Sequence, residues 1–258
     1  MKDAEHDNIW MRPERPARGP RPAYSRDQIT EAAVRIADSE GIEAASMRKI
    51  AAEIGAGAMS LYRYVPSRDD LIELMVDRVY GEMGLPARPT GAWRADLELL
   101  ARESRAMQLR HPWLHTVQRG TPMYGPEQLR VVEFGLGALD LGVPIDEMLS
   151  LVGLLNGYVD NFTRLEVMWL DVARRSGLTR EDWMRRNAGY VHQLMRTGDY
   201  PIFTRVVMDA QQPHMTDEER FDYGLERVLN AIEATLAPTL GLAPTIQALS
   251  TEESAAEA

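Results

Sequence analysis

The sequence predicts an all-α chain, with an N-terminal three-helix unit of helix-turn-helix type followed by a larger helical body. Three observations carry this. Apolar residues recur at three- and four-residue spacing in segment after segment between two tails. These segments open on Ser or Thr and close on Gly or Pro, the residues that cap and break helices. No alternating apolar runs mark strands, and no internal repeat is present.

The elements follow in order. Residues 1–24 combine Pro, Gly and spaced Arg with few apolar side chains, and are expected to form a disordered basic arm. The first helix begins at the N-cap Ser25, with Gln28 as the return half of a capping box. Its apolar stripe is Ile29, Ala32, Ala33, Ile36 and Ala37, and it stops at Gly41. Ser46 caps a second helix that ends at Gly55. A third, AMSLYRYV, is about two turns long and halts before Pro66. Ser67 caps a fourth whose first turn carries Asp69 and Asp70, favourable at the positive end of a helix dipole.

Pro86 and Pro89 mark a boundary, giving a first domain over 25–86 and a second over 87–237. Five helices are expected in the second, over 93–109, 126–141, 145–173, 179–196 and 216–236. The segment 145–173 is apolar on nearly every side and is expected to be the buried central helix. Residues 238–258, with two prolines in 237–244 and an acidic close, are expected to be a flexible tail after a helix stop near Ala237.

Composition narrows the function. The chain has no cysteine, which excludes disulfides, thiolate metal sites and thiol catalysis. No apolar run long enough to cross a membrane appears, and the N-terminal stretch lacks the apolar core of a signal peptide, so a cytoplasmic protein is expected. The net charge is −10, yet residues 12–68 carry ten Arg and Lys against seven Asp and Glu. Only the N-terminal part is therefore suited to a polyanion. Phosphate-loop, nucleophile-elbow and zinc-protease motifs are absent, and no carboxylate pair is singled out by spacing, so no catalytic residue is expected. His111 and His115 stand four apart, but Pro112 interrupts the helix between them and no third ligand is evident. They are read as structural, with no metal site and no cofactor.

The informative stretch is SMRKIAAEIGAGAMSLYRYVPSR, residues 46–68. A helix, a Gly-containing turn and a second short helix is the layout in which the first helix sets its N-terminus on a phosphate and the second enters the major groove. Arg48 and Lys49 stand at the start of one helix. Ser60, Tyr62, Arg63 and Tyr64 lie on the other, and Arg68 opens the next. The same layout is also a common architectural unit, so the alternative is a helical small-molecule-binding or scaffold protein without specific DNA binding.

The segment SMRKIAAEIGAGAMSLYRYVPSRDDLIELMVD resembles the DNA-binding region of tetracycline-repressor-family regulators, and the resemblance extends through NGYVDNFTRLE and FDYGLERVLNAIEATL. It implies a ligand-responsive homodimeric repressor on a palindromic double-stranded DNA operator, released by a small-molecule inducer. By the same resemblance, Arg48, Ala58, Met59 and Arg63 would face base edges. Ser46, Ser60, Tyr62, Tyr64 and Arg68 would hold phosphates. The Arg residues of the N-terminal arm have two readings, a minor-groove contact or a solubilising tail.

The resemblance further implies a ligand cavity in the second domain. Aligned positions fall on Leu100, Ser104, Gln118, Thr121, Phe134 and Glu166, with Met107, Trp113, Tyr158 and Phe162 a turn or two away. Gln118 stands where the tetracycline repressor has a metal-holding His, which argues against a metal-bound ligand. Glu166, a carboxylate on an apolar helix, requires a partner, either an Arg of the fold or an inducer.

Overall fold

The computed structural model describes residues 8–12, 24–117, 125–211 and 214–241. These contain ten α-helices and no strand. The first four are α1 (Arg26–Glu40), α2 (Met47–Glu53), α3 (Ala58–Leu61) and α4 (Arg68–Tyr80). The others are α5 (Trp93–Arg110), α6 (Pro126–Ala138), α7 (Ile145–Ser176), α8 (Arg180–Thr197), α9 (Pro201–Asp209) and α10 (Asp217–Leu240).

The caps form as the sequence dictates. Ser25 and Gln28 make a reciprocal capping box on α1, and Thr179 with Asp182 and Thr216 with Glu219 do so on α8 and α10. Ser46 and Ser67 each accept a backbone N–H of the first turn they cap. In the N-terminal unit α1 packs on α2 and α4, around Ile29, Ala33, Ile36, Ile50, Leu61, Val65 and Met75. In the body α5 and α10 pack on α7 and α6 closes the side, burying Leu97, Leu155, Phe221, Leu225 and Ile232.

Four expectations change. Residues 8–12, read as part of a disordered arm, are folded: Ile9–Met11 form a 3-10 turn with Ile9 fully buried, and Arg26 donates to the Ile9 and Arg12 carbonyls. The Arg15, Arg18 and Arg21 portion of the arm lies outside the described residues. The last helix continues through Pro238 to Leu240 and closes on Gly241 at φ 63°. A further helix, α9, was not anticipated. Finally, α7 is not buried on all sides. Met148, Leu151, Leu155, Val159, Thr163 and Glu166 form one covered face, while Leu149, Leu154, Leu165 and Met168 are exposed.

Candidate DNA-reading surface and ligand cavity

The reader is built around a tight turn. At the end of α2, Ala56 N–H reaches the Ala51 carbonyl at 2.7 Å and Gly55 N–H the Ala52 carbonyl at 3.4 Å, a Schellman-type close with Gly55 at φ 70°. Tyr24 donates to the Gly55 carbonyl at 2.9 Å and ties the turn to the entry of α1. α3 then spans Ala58–Leu61, and Arg63, Tyr64 and Val65 continue it with further backbone bonds. Because a Cβ at Gly55 meets nothing within 4 Å, Gly55→Ala tests the backbone alone. It is expected to cost about 1–2 kcal/mol in urea unfolding and to weaken DNA binding through the altered helix-to-helix angle.

The basic side chains divide by what they already hold. Lys49 pairs with Glu40. Arg68 donates to the carbonyls of Ala45 (3.3 Å) and Ile42 (3.1 Å) and pairs with Glu43 at 3.3 Å, so its guanidinium bolts α4 to the α1–α2 connection. The structure therefore does not present Arg68 or Lys49 as uncommitted phosphate ligands. Arg48 and Arg63 are exposed, and among the described residues neither has a side-chain partner. Met59 and Tyr62 are exposed beside Arg63, whereas Tyr64 is half-buried against the core. Ser60 Oγ donates to the Gly57 carbonyl at 2.6 Å, so it must turn to donate to a phosphate. Ala58 is half-buried, and Ser46 Oγ is occupied as the α2 cap.

Two hollows lie in the body. The first, about 430 Å³, is bounded by Tyr80 at the end of α4, Met107 and Gln108 of α5, and Leu114 and His115 of the 3-10 turn Pro112–His115. The α7 residues Gly157, Asp160, Asn161 and Arg164 complete it. The second, about 820 Å³, lies among α7, α8, α9 and the start of α10, with Trp169, Trp183, Arg180 and Arg220 on its wall. Its arginines are already engaged: Arg220 pairs with Asp217, and Arg180 lies 3.5 Å from the same Asp217 and over the Trp169 ring. Behind the wall of the first hollow, Gln108 Oε1 and His115 Nε2 are buried from solvent and have no hydrogen-bond partner, although other atoms of both residues line it.

Of the ten pocket residues inferred by resemblance eight are described, and of these only Met107 lines this hollow. Leu100 and Phe134 are core, and Ser104 is half-buried away from the cavity. Gln118 and Thr121 lie outside the described residues. Tyr158, Phe162 and Glu166 close on one another instead. Tyr158 donates to the Phe221 carbonyl at 2.7 Å, its ring and that of Phe162 pack on Phe221, and Glu166 is held by Arg105. Burial pushes the Tyr158 hydroxyl up to about 12, so it remains a donor. Trp113 faces the other way, its indole N–H donating to Asp38 of α1 at 2.7 Å. The two histidines also diverge: His111 sits between Asp38 and Glu82, and His115 lines the hollow. Of the other residues on its wall, Gln108 was not singled out in the sequence, and His115 was read there as structural. The available signal was a Gln at 108 and an Arg at 105 on the otherwise apolar stripe of α5.

A helix-turn-helix unit joined to a helical body that carries open hollows between its helices is the layout of a DNA-binding transcriptional regulator. The chain belongs to the tetR family of bacterial regulatory proteins. Residues 29–75 match the family's N-terminal model, and residues 85–236 match its tetracyclin repressor-like C-terminal domain. It is 38% identical over 235 residues to the HTH-type transcriptional repressor DrrR1 of Streptomyces coeruleorubidus, covering 90% of this chain and 86% of that one. Its fold is similar to apo ActR of Streptomyces coelicolor (TM-score 0.68, 26% identity, 86% of this chain and 99% of that one). It is also similar to ActR in complex with actinorhodin (TM-score 0.66, 26% identity, 84% and 99%).

Proposed function

We propose that this regulator is a repressor that binds a palindromic operator as a homodimer and is released when a small molecule enters the α5–α7 cavity. The carrying observation is that one 3-10 turn faces both parts. Leu114 and His115 line the cavity, and Trp113 of the same turn grips Asp38 of α1. A ligand that binds the DNA-incompetent arrangement better weakens operator binding by that differential affinity and no more. The similarity to a named repressor and to ActR, solved with actinorhodin, supports both halves of the reading.

The partner on the body is a second copy. Large apolar residues stand exposed along α7, at Tyr190 of α8 and at Ile202, Phe203 and Met208 of α9, and exposed apolar side chains of this kind suit a protein partner. Neither α8 nor α9 buries any residue within the protomer. Two-fold pairing would set two readers about 34–36 Å or somewhat more apart on DNA. No described helix is long and apolar enough to cross a membrane, and the working compartment is the cytoplasm, where the operator lies.

Arg48 and Arg63 are the base-reading side chains, Met59 and Ala58 offer apolar contact, and Ser46, Ser60, Tyr62 and Tyr64 hold phosphates. The test is a footprint on DNA flanking the protein's own gene, in rising salt. Wild type should protect a palindrome with salt-sensitive affinity. Arg63→Ala should cost about 1–3 kcal/mol and relax the preference at one base position. Absence of palindromic protection at every salt concentration would favour a helical binding protein without operator recognition.

A further inference from the structure

The second hollow, among α7, α8, α9 and the start of α10, carries an imbalance of charge on its wall. Arg180 and Arg220 both line it, and both turn to a single oxygen, Asp217 Oδ1: Arg220 pairs with it directly, and Arg180 Nη1 stands 3.5 Å away. Arg220 gives a further N–H to the Met215 carbonyl at 3.0 Å. Among the described residues Arg180 donates no hydrogen bond, and its side-chain nitrogens are not sealed from solvent. Its guanidinium lies over the Trp169 ring, 5.2 Å from the centre, on the same wall. Asp209 also lines the hollow, but it is exposed and among the described residues pairs with neither arginine.

One carboxylate between two guanidiniums leaves a positive charge over. Other arginines of the same body show the contrast. Arg102 meets Glu98 and Asp222, Arg105 meets Glu166 and Glu218, and in both the carboxylates raise the pKa in spite of burial. In Arg180 and Arg220 burial prevails and the pKa falls, and for Arg220 the neighbouring Arg180 charge pushes the same way. A guanidinium with open N–H groups suits a carboxylate, which it can hold through two parallel bonds. Apolar surface lies beside it: Trp183, 47% exposed, meets the Trp169 ring edge-on at 5.7 Å, and Met184, Val206 and Met215 extend the wall. A volume of 820 Å³ accommodates a ligand of about two or three fused rings.

We propose that this hollow is a binding site for an aromatic monocarboxylate, whose carboxylate accepts from the open N–H groups of Arg180 while its rings lie against Trp183. The site is separate from the α5–α7 cavity, and its occupancy does not depend on an inducer entering there. An uncharged ring compound forgoes the charge-assisted bonds, and a cationic one meets the guanidinium with like charge.

The test uses two probes on the full chain, 1-naphthoate and 1-naphthamide, titrated by equilibrium dialysis. They are alike in shape and differ in charge. Wild type should bind the acid about ten-fold or more tightly than the amide, with the preference shrinking as salt rises. Arg180→Gln removes the cation and should bring the ratio near one, with circular dichroism confirming the helical fold. Trp183→Ala, at a half-exposed position, should weaken both probes by about three-fold or more through the lost ring contact. Arg164→Gln, on the wall of the α5–α7 cavity, should leave the ratio unchanged. Equal binding of both probes by wild type overturns the proposal, as does no binding of the acid at millimolar concentration. A preference that survives in Arg180→Gln, unaltered affinities in Trp183→Ala, or a preference lost in Arg164→Gln, which would place the acid in the other cavity, each overturn it too.

Discussion

Replacing Arg105 by methionine is expected to destabilise the body by about 3–5 kcal/mol, measured by urea unfolding at fixed protomer concentration. Arg105 is 9% exposed on α5, and it binds Glu166 of α7 through two parallel bonds, Nε to Oε2 and Nη2 to Oε1, each 3.0 Å. Its remaining arm pairs with Glu218, and the guanidinium lies 4.7 Å from the centre of the Phe221 ring on α10. Burial by itself would lower the arginine pKa, but the hydrogen bonds to Glu166 and Glu218 outweigh it and leave the pKa raised. Methionine fills part of the volume and strands the Glu166 carboxylate, also 9% exposed, without its cation. The double variant Arg105→Met/Glu166→Met should recover most of the loss, because an apolar pair of similar volume carries no desolvation penalty. If the single variant unfolds like wild type, Glu166 has another partner and the ion pair is not what joins α5 to α7.

The same cluster shows where sequence and structure part. That Glu166 needed a partner was legible from one carboxylate on an apolar helix. Which partner was not, because Arg105 lies 61 residues away and only the packing of α5 on α7 brings them together. Ser25, Ser46, Ser67, Thr179 and Thr216 announced helix starts because capping is local chemistry that a few residues encode. Ile9 and Trp10 carried no such signal: two apolar residues among Pro and Arg have no periodicity, and only tertiary packing makes Ile9 a core residue. α9 begins at Pro201 without a side-chain cap and is rich in β-branched residues, which weakens any helix reading. The helices of the helix-turn-helix unit were legible from their caps and breakers, whereas the commitments of Lys49 and Arg68 depend on tertiary neighbours. The cavity was the least legible part. Aromatic residues transferred by alignment satisfy one another, and a hollow is defined by what its neighbours leave unfilled.

Asp38→Ala is expected to separate operator binding from ligand response. Asp38 Oδ1 accepts the Trp113 indole N–H at 2.7 Å and stands 2.7 Å from His111 Nδ1, while His111 Nε2 stands 2.9 Å from Glu82 Oε2. Trp113 and His111 are both nearly fully buried, so alanine leaves two polar groups without their acceptor, at about 1–3 kcal/mol each. The hydrogen bonds of Asp38 go to Trp113 and His111 and to no residue of α2 or α3, so operator affinity measured without ligand should change by less than about three-fold, a shift under RT ln 3. Coupling is a different quantity. A ligand pressing on Leu114 and His115 moves α1 only through contacts that the 3-10 turn makes with it, and Trp113–Asp38 is the hydrogen bond in that path. Allosteric effectors in general shift affinity by about 5–150-fold. In Asp38→Ala the shift should fall toward one, measured as operator affinity with and without a saturating small-molecule inducer. Asp38→Asn keeps an acceptor oxygen and discards the charge, so it should retain most of the response if hydrogen bonding carries the coupling. Loss of response in Asn and Ala alike would assign the coupling to the carboxylate charge facing His111, and full response in both would remove this contact from the path.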